Sequence, residues 1–257
     1  MTPPALSLHS RIVLVTGAGQ GLGRATALAL AAHGATVVLL GRSITKLEAV
    51  YDAIVAAGSP QPAIFPMDLE KACEADFETL AQTLHYQLRR LDGIVHCASA
   101  FEPPAPLAGQ SPDRWPALFK TNVIAPFAIN RACQALLSQA GNATVILIGE
   151  SHGHAPAAYW GGFSVSKAAL EAYFKIQAEE WPGPPAPRVH LVIPGPLNTP
   201  QRAQSHPGED KTGLPGPEAL AEDIVRLFQA GPDAPRGLIL EWRPGQDVES
   251  LRLPQVQ

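Results

Sequence analysis

The stretch TGAGQGLGRA, residues 16–25, decides the fold. The residues before it, RIVLVT (11–16), form a continuous β-branched run, as a strand buried on both faces should. Those after it, GLGRATALALAAHG (21–34), fill a helix with Ala and Leu and stop at Gly34, a residue suited to the left-handed position after a helix. A glycine cluster in an ordinary loop carries little information. Between a buried strand and a helix N-terminus it has a specific use. Glycines let the backbone turn tightly and approach a ligand, while the helix end offers free N–H groups and partial positive charge. The expected ligand is the pyrophosphate of a dinucleotide, held by Thr16, Gly17, Gly19, Gln20, Gly21, Leu22 and Gly23.

The same alternation runs along the chain. Further strands are expected at 36–41, 63–68, 93–99, 142–149, 188–195 and 237–242, and helices at 43–58, 74–90 and about 217–230, with one more through Lys167. Ser43 is a plausible cap for the second helix. Ser111-Pro112 is expected to open a long helix, kinked or distorted at Pro126. Seven strands separated by helices predict an α/β fold: one Rossmann-like, doubly wound parallel sheet in a single domain spanning residues 1–257. The Pro- and Gly-rich runs at 181–188 and 198–217 read as surface loops. The second is long for a connection and is expected to act as a lid.

The bulk composition fits this reading. Of 257 residues, 46% are hydrophobic, enough for a sizeable core, and only 16% are charged, which argues against a disordered chain. A net charge of −4 gives no reason to expect nucleic acid or an anionic membrane surface as partner. Cys73, Cys97 and Cys133 are odd in number and lack metal-ligand spacing, so they are expected as reduced thiols, with no metal site. MTPPALSLHS shows no basic region followed by an apolar run, and no segment is apolar for membrane length. A cytoplasmic setting is expected.

The spelling of the turn, Thr16-Gly17-x-x-x-Gly21-x-Gly23, resembles the short-chain dehydrogenase/reductase family, and the resemblance runs from about residue 8 to 246. Other landmarks follow in order. MDL (67–69) resembles the family's adenine-contacting segment, which implies Asp68 and Leu69. HCAS (96–99) stands where the family has Asn-Asn-Ala-Gly and keeps Ala98, with His96 and Cys97 replacing the Asn pair. KTNVIAP places Asn122 at the family's catalytic Asn, and IPGP (193–196) places Pro194 and Gly195 at its nicotinamide-contacting turn. The resemblance implies a nicotinamide-dependent oxidoreductase of small carbonyl or alcohol compounds, strand order 3-2-1-4-5-6-7, and a homodimer or homotetramer. The second strand ends VVLLGRS, with Arg42 and Ser43 where an NAD site carries a carboxylate. A guanidinium can grip a 2′-phosphate that an acid would repel, so NADP(H) is expected rather than NAD(H).

Carbonyl reduction needs a proton source for the developing alkoxide. In the family it is a Tyr four residues before a Lys, whose ammonium lowers the phenol pKa and holds the ribose, helped by a Ser at the end of the fifth strand and an Asn. Here Lys167 and Asn122 match, but GGFSVSKAALEAYF (161–174) puts Phe163 at the Tyr position. In LIGESHGH, Glu150 takes the Ser position, and Ser151 could serve only if the turn shifts register. One reading is an oxidoreductase with rerouted or impaired proton donation from Glu150, His152, His154 or Tyr159. A second is a non-catalytic dinucleotide-binding sensor, and a third a scaffold.

Overall fold

The computed structural model describes residues 8–245, so the ends of the expected 1–257 domain lie outside the described residues. Seven parallel strands form one sheet: β1 (Ile12–Thr16), β2 (Thr36–Gly41), β3 (Ala63–Pro66), β4 (Gly93–His96), β5 (Thr144–Ile148), β6 (Arg188–Ile193) and β7 (Leu238–Glu241). Their order is β3-β2-β1-β4-β5-β6-β7. The order reverses between β1 and β4, where Thr16 pairs with His96, and an open α/β sheet forms its ligand crevice at the carboxyl ends of such strands.

Alternate residues of each strand feed opposite cores. Val13, Val15, Val37 and Leu39 join the core under α1 (Gly21–Ala32), α2 (Ile44–Ala56) and α9 (Pro217–Gln229). Leu14, Val38 and Leu40 join the other core, under α3 (Glu74–Leu88), α5 (Ala125–Gln139) and α7 (Gly161–Glu180). Burial on both faces is why these strands read as continuous apolar runs.

Three local expectations need correction. The segment opened by Ser111 is not one long helix. A 3₁₀ turn at Pro112–Arg114, begun by Ser111 Oγ accepting the Asp113 N–H at 3.3 Å, leads into α4 (Trp115–Phe119). A π-turn at Lys120–Ile124 then separates α4 from α5. Pro126 has no N–H to give the carbonyl of Asn122, so the widened turn sits where the regular bond would be lost. Ser43 precedes α2, but its side chain makes no capping bond. The 198–217 segment is not all loop, because it contains α8 (Pro200–Ser205), capped by Thr199 Oγ1 accepting the Arg202 N–H at 3.2 Å. Among the described residues no helix is long and apolar enough to cross a membrane.

Two strand histidines make the fold sensitive to acid. His96, 4% exposed and 2.9 Å from Asn130 Oδ1 through Nε2, is pushed by burial from 6.5 down to about 4. His190, 2% exposed, is pushed to about 3 by burial and by the charges of Arg188 and Arg236. Both stay neutral in the folded protein while the unfolded chain protonates them near 6.5. Stability is therefore present above that value and falls as pH drops toward 4, by ~1.4 kcal/mol per pH unit for each group. His190 Nδ1 has no partner among the described residues, so an apolar replacement forfeits no bond there. His190→Leu is expected to shallow the fall in urea midpoint between neutral pH and pH ~5. An unchanged fall would show that His190 does not drive it.

Candidate active site

The turn after β1 is built so that chain segments meet closely. Gly17 has φ +67°, and a Cβ there would lie 2.8 Å from Ala98 Cα. A Cβ on Gly23 would lie 2.3 Å from Gly17 O, so α1 packs directly on the turn. Thr16 Oγ1 accepts the Ala98 N–H at 3.1 Å and ties β1 to the chain leaving β4. That exit explains why β4 ends at His96 instead of running to 99: Cys97, Ala98 and Ser99 form the wall of a cleft. At the start of α1, Gln20 makes no side-chain cap and the first turn carries no acid. Its N–H groups are left for an anionic ligand, which is what a pyrophosphate needs.

The cleft encloses about 510 Å³ and runs along the carboxyl end of the sheet. Gly17, Gly19, Gln20, Gly21, Leu22 and Gly23 line it, as do Arg42, Ser43, Asp68, Leu69 and Ala98. Asp68 also accepts the Glu70 N–H at 3.2 Å and pairs with Lys71 at 3.7 Å. Lys46, from the first turn of α2, joins Arg42 at this end and donates to Gln20 Oε1 at 2.5 Å. Sequence reading missed Lys46, although its spacing of four from Arg42 at a helix start was the available signal.

Pro194, Gly195, Glu150, Ser151 and Lys167 line the other end. Lys167 is 5% exposed and donates to Ile148 O at 2.9 Å. Burial pushes its ammonium down to about 8, against the opposing pull of Glu150. Asn122 lies in the π-turn, 1% exposed. Its Nδ2 donates to Ala100 O (3.0 Å) and Ser166 Oγ (2.9 Å), and its Oδ1 accepts the Ala100 N–H (2.8 Å). It clamps the chain after β4 onto α7.

Glu150 follows β5 in extended conformation (φ −154°, ψ 141°) and precedes the single turn α6 (Ser151–His154). Its carboxylate does not cap that turn. It accepts from Ser151 Oγ at 2.9 Å and lies 3.3 Å from His152 Nδ1. His152 stacks on Trp160 with ring centres 3.8 Å apart and planes 13° from parallel. Ser164 Oγ donates to the His152 carbonyl, fastening α6 to α7.

Phe163 is 1% exposed. Phe101 meets it edge-on at 4.9 Å and Trp160 lies 6.1 Å away, and those two rings line the cleft. Lys167 Nζ is 6.0 Å from the Phe163 ring centre. The aromatic wall was invisible in the sequence, because its members come from separate segments. The remaining expected donors sit elsewhere: His154 pairs with Glu171 at 3.0 Å, and Tyr159 is 59% exposed, its carbonyl accepting the Ala105 N–H.

Known proteins share this architecture along most of the chain. Residues 11–210 match the family model of short chain dehydrogenases. The uncharacterized oxidoreductase YciK of Escherichia coli (strain K12) is 33% identical over 241 residues, covering 93% of this chain and 94% of the relative. A short chain dehydrogenase structure from Pseudomonas syringae is 37% identical with a TM-score of 0.85, covering 94% of this chain and 98% of that one. One from Escherichia coli CFT073, complexed with NADPH, is 33% identical with a TM-score of 0.85, covering 93% and 99%. A glycine turn that folds as its spelling predicts, a sheet in the expected order and these matches lead to one conclusion: the chain belongs to the short chain dehydrogenase family.

Proposed function

We propose that the protein is an NADP(H)-dependent oxidoreductase of small carbonyl or alcohol compounds, in which proton transfer does not use a tyrosine hydroxyl. The observation that carries this reading is the continuity of one cleft. It begins at the uncapped α1 N-terminus and the Arg42–Lys46 cation pair and ends at Lys167 and Glu150. The glycine turn would hold the pyrophosphate, Arg42, Ser43 and Lys46 the 2′-phosphate, and Lys167 the ribose. The NADPH complex of the Escherichia coli CFT073 relative supports NADP(H) as the cofactor. When bound, the nicotinamide supplies or accepts the hydride. The chain's own part is to orient it, to exclude water and to move a proton. Phe163 has no proton to give, so the family's usual donation is altered.

The substrate would lie against Phe101 and Trp160, with the 198–217 segment as lid, since Thr199, Pro200, Gln201 and Arg202 line the same cleft. In this reading the protein acts in the cytoplasm as a homodimer or homotetramer. Exposed Ile124, Phe127, Val165 and Ile176 (44–58% exposed) support a covered helical face.

Fluorescence titration tests the cofactor half. NADPH is expected to bind at least ~10-fold more tightly than NADH, the worth of a charge-assisted bond. No response at millimolar cofactor would sink the reading.

A further inference from the structure

We infer that Glu150 is the acid–base residue of this site and that His152 relays its proton to solvent, replacing the hydroxyl that position 163 lacks. The inference rests on the oxidoreductase reading above.

Glu150 lines the cleft beside Lys167, with its side chain 18% exposed. The carboxylate has no structural occupation: it stands where a helix cap would bond the backbone, yet makes no such bond. Instead it is held by Ser151 Oγ at 2.9 Å and faced by His152 Nδ1 at 3.3 Å. The imidazole is fixed from two sides, by the stack on Trp160 and by the Ser164 bond to its own carbonyl. With 27% of its side chain exposed, His152 touches both the carboxylate and water.

The other groups around the pair do not compete. The Ser151 hydroxyl is already donating to Glu150. Lys167 Nζ is anchored to Ile148 O, where its charge stabilises the carboxylate left after donation. The Cys97 thiol is pushed up to about 12 by burial and stays protonated. The His206 ring centre lies 6.0 Å from that of Trp160, and Arg202 is paired with Glu209.

In reduction the carbonyl carbon takes hydride from bound NADPH, which becomes NADP⁺, and the carbonyl oxygen takes the proton of the Glu150 carboxyl. The carboxylate regains a proton from the His152 ring, and the neutral imidazole left behind takes one from water. In alcohol oxidation the same proton runs the other way, and atoms and charge balance in both directions.

The test uses the full chain with NADPH and a panel of aldehydes, ketones and quinones, followed by NADPH absorbance. Glu150→Gln is expected to lower kcat by about 10²–10⁴-fold, while NADPH affinity by fluorescence and the thermal midpoint stay near wild type. Formate is expected to restore part of the rate to Glu150→Ala. His152→Asn keeps a donor toward the carboxylate but carries no proton, so it should lower kcat, leave KM unchanged and flatten the pH profile. Glu150→Gln within about threefold of wild type would overturn the assignment, and so would loss of NADPH binding in that variant. A wild type inactive on the whole panel also overturns it, most directly if Glu150→Ser with Phe163→Tyr turns over. Failure of wild type to bind NADPH would instead sink the oxidoreductase reading.

Discussion

Arg42→Asp combined with Lys46→Ala is expected to weaken NADPH binding about 10²-fold and to strengthen NADH binding, reversing the cofactor preference. Both cations line the cleft just past the end of β2. Charge-assisted bonds are worth about 1.5–3 kcal/mol each. Both side chains are exposed, however, so solvent and salt screen them, and the lower end of that range applies. Removing two cations and adding a carboxylate where a 2′-phosphate would sit gives a loss of about 3 kcal/mol, which is the stated factor. The Asp gains a use with NADH, since it can accept from the ribose 2′-OH. Titration with both cofactors at low and high salt checks this. Wild-type preference for NADPH should shrink as salt rises. An unchanged preference in the double variant would mean that the phosphate is held elsewhere.

How much of this site was readable depends on how local its signals are. The glycine turn is a property of ten consecutive residues, the parallel sheet follows from buried strands joined by helical crossovers, and the strand order was implied by the family resemblance those residues carry. All three therefore stand in the sequence. Lys46 was passed over because a lysine on a helix start normally reads as a solvated residue, and only the fold brings it to Gln20. In the Ser111 segment the distortion at Pro126 is legible from its missing N–H, but the 3₁₀ start and the hold of Ala100 on the Asn122 side chain are not. In the 198–217 segment, PQRAQS has no apolar face to announce α8. Its cap, Thr199, is a single weak signal. Phe163 is the instructive case. Sequence spacing reveals the absent hydroxyl, but only the structure shows Phe101 packed edge-on against the ring, with Trp160 beside it.

Lys167→Met is expected to raise the stability of the cofactor-free protein at neutral pH while weakening NADPH binding by at least ~10-fold. The lysine is 5% exposed, and burial lowers it from 10.5 to about 8, so it is still charged at pH 7 in a place that disfavours charge. That shift corresponds to roughly 3 kcal/mol. The direction follows from proton counts. Between pH 8 and 10.5 the unfolded chain holds a proton that the folded protein has released, so stability climbs with pH through that window and the full penalty remains below it. Methionine has a similar length and no charge, but it leaves Ile148 O without its donor, a loss of about 1–2 kcal/mol. The net gain at pH 7 is about 1–2 kcal/mol and disappears toward pH ~10. Urea unfolding at both pH values measures it. Saturating NADPH should stabilise wild type by mass action and the Met variant far less. A lysine retained for packing or for its bond to Ile148 would give the opposite result, a less stable variant at every pH. The expected pattern instead marks Lys167 as a buried charge whose cost is offset only when ribose hydroxyls bind it.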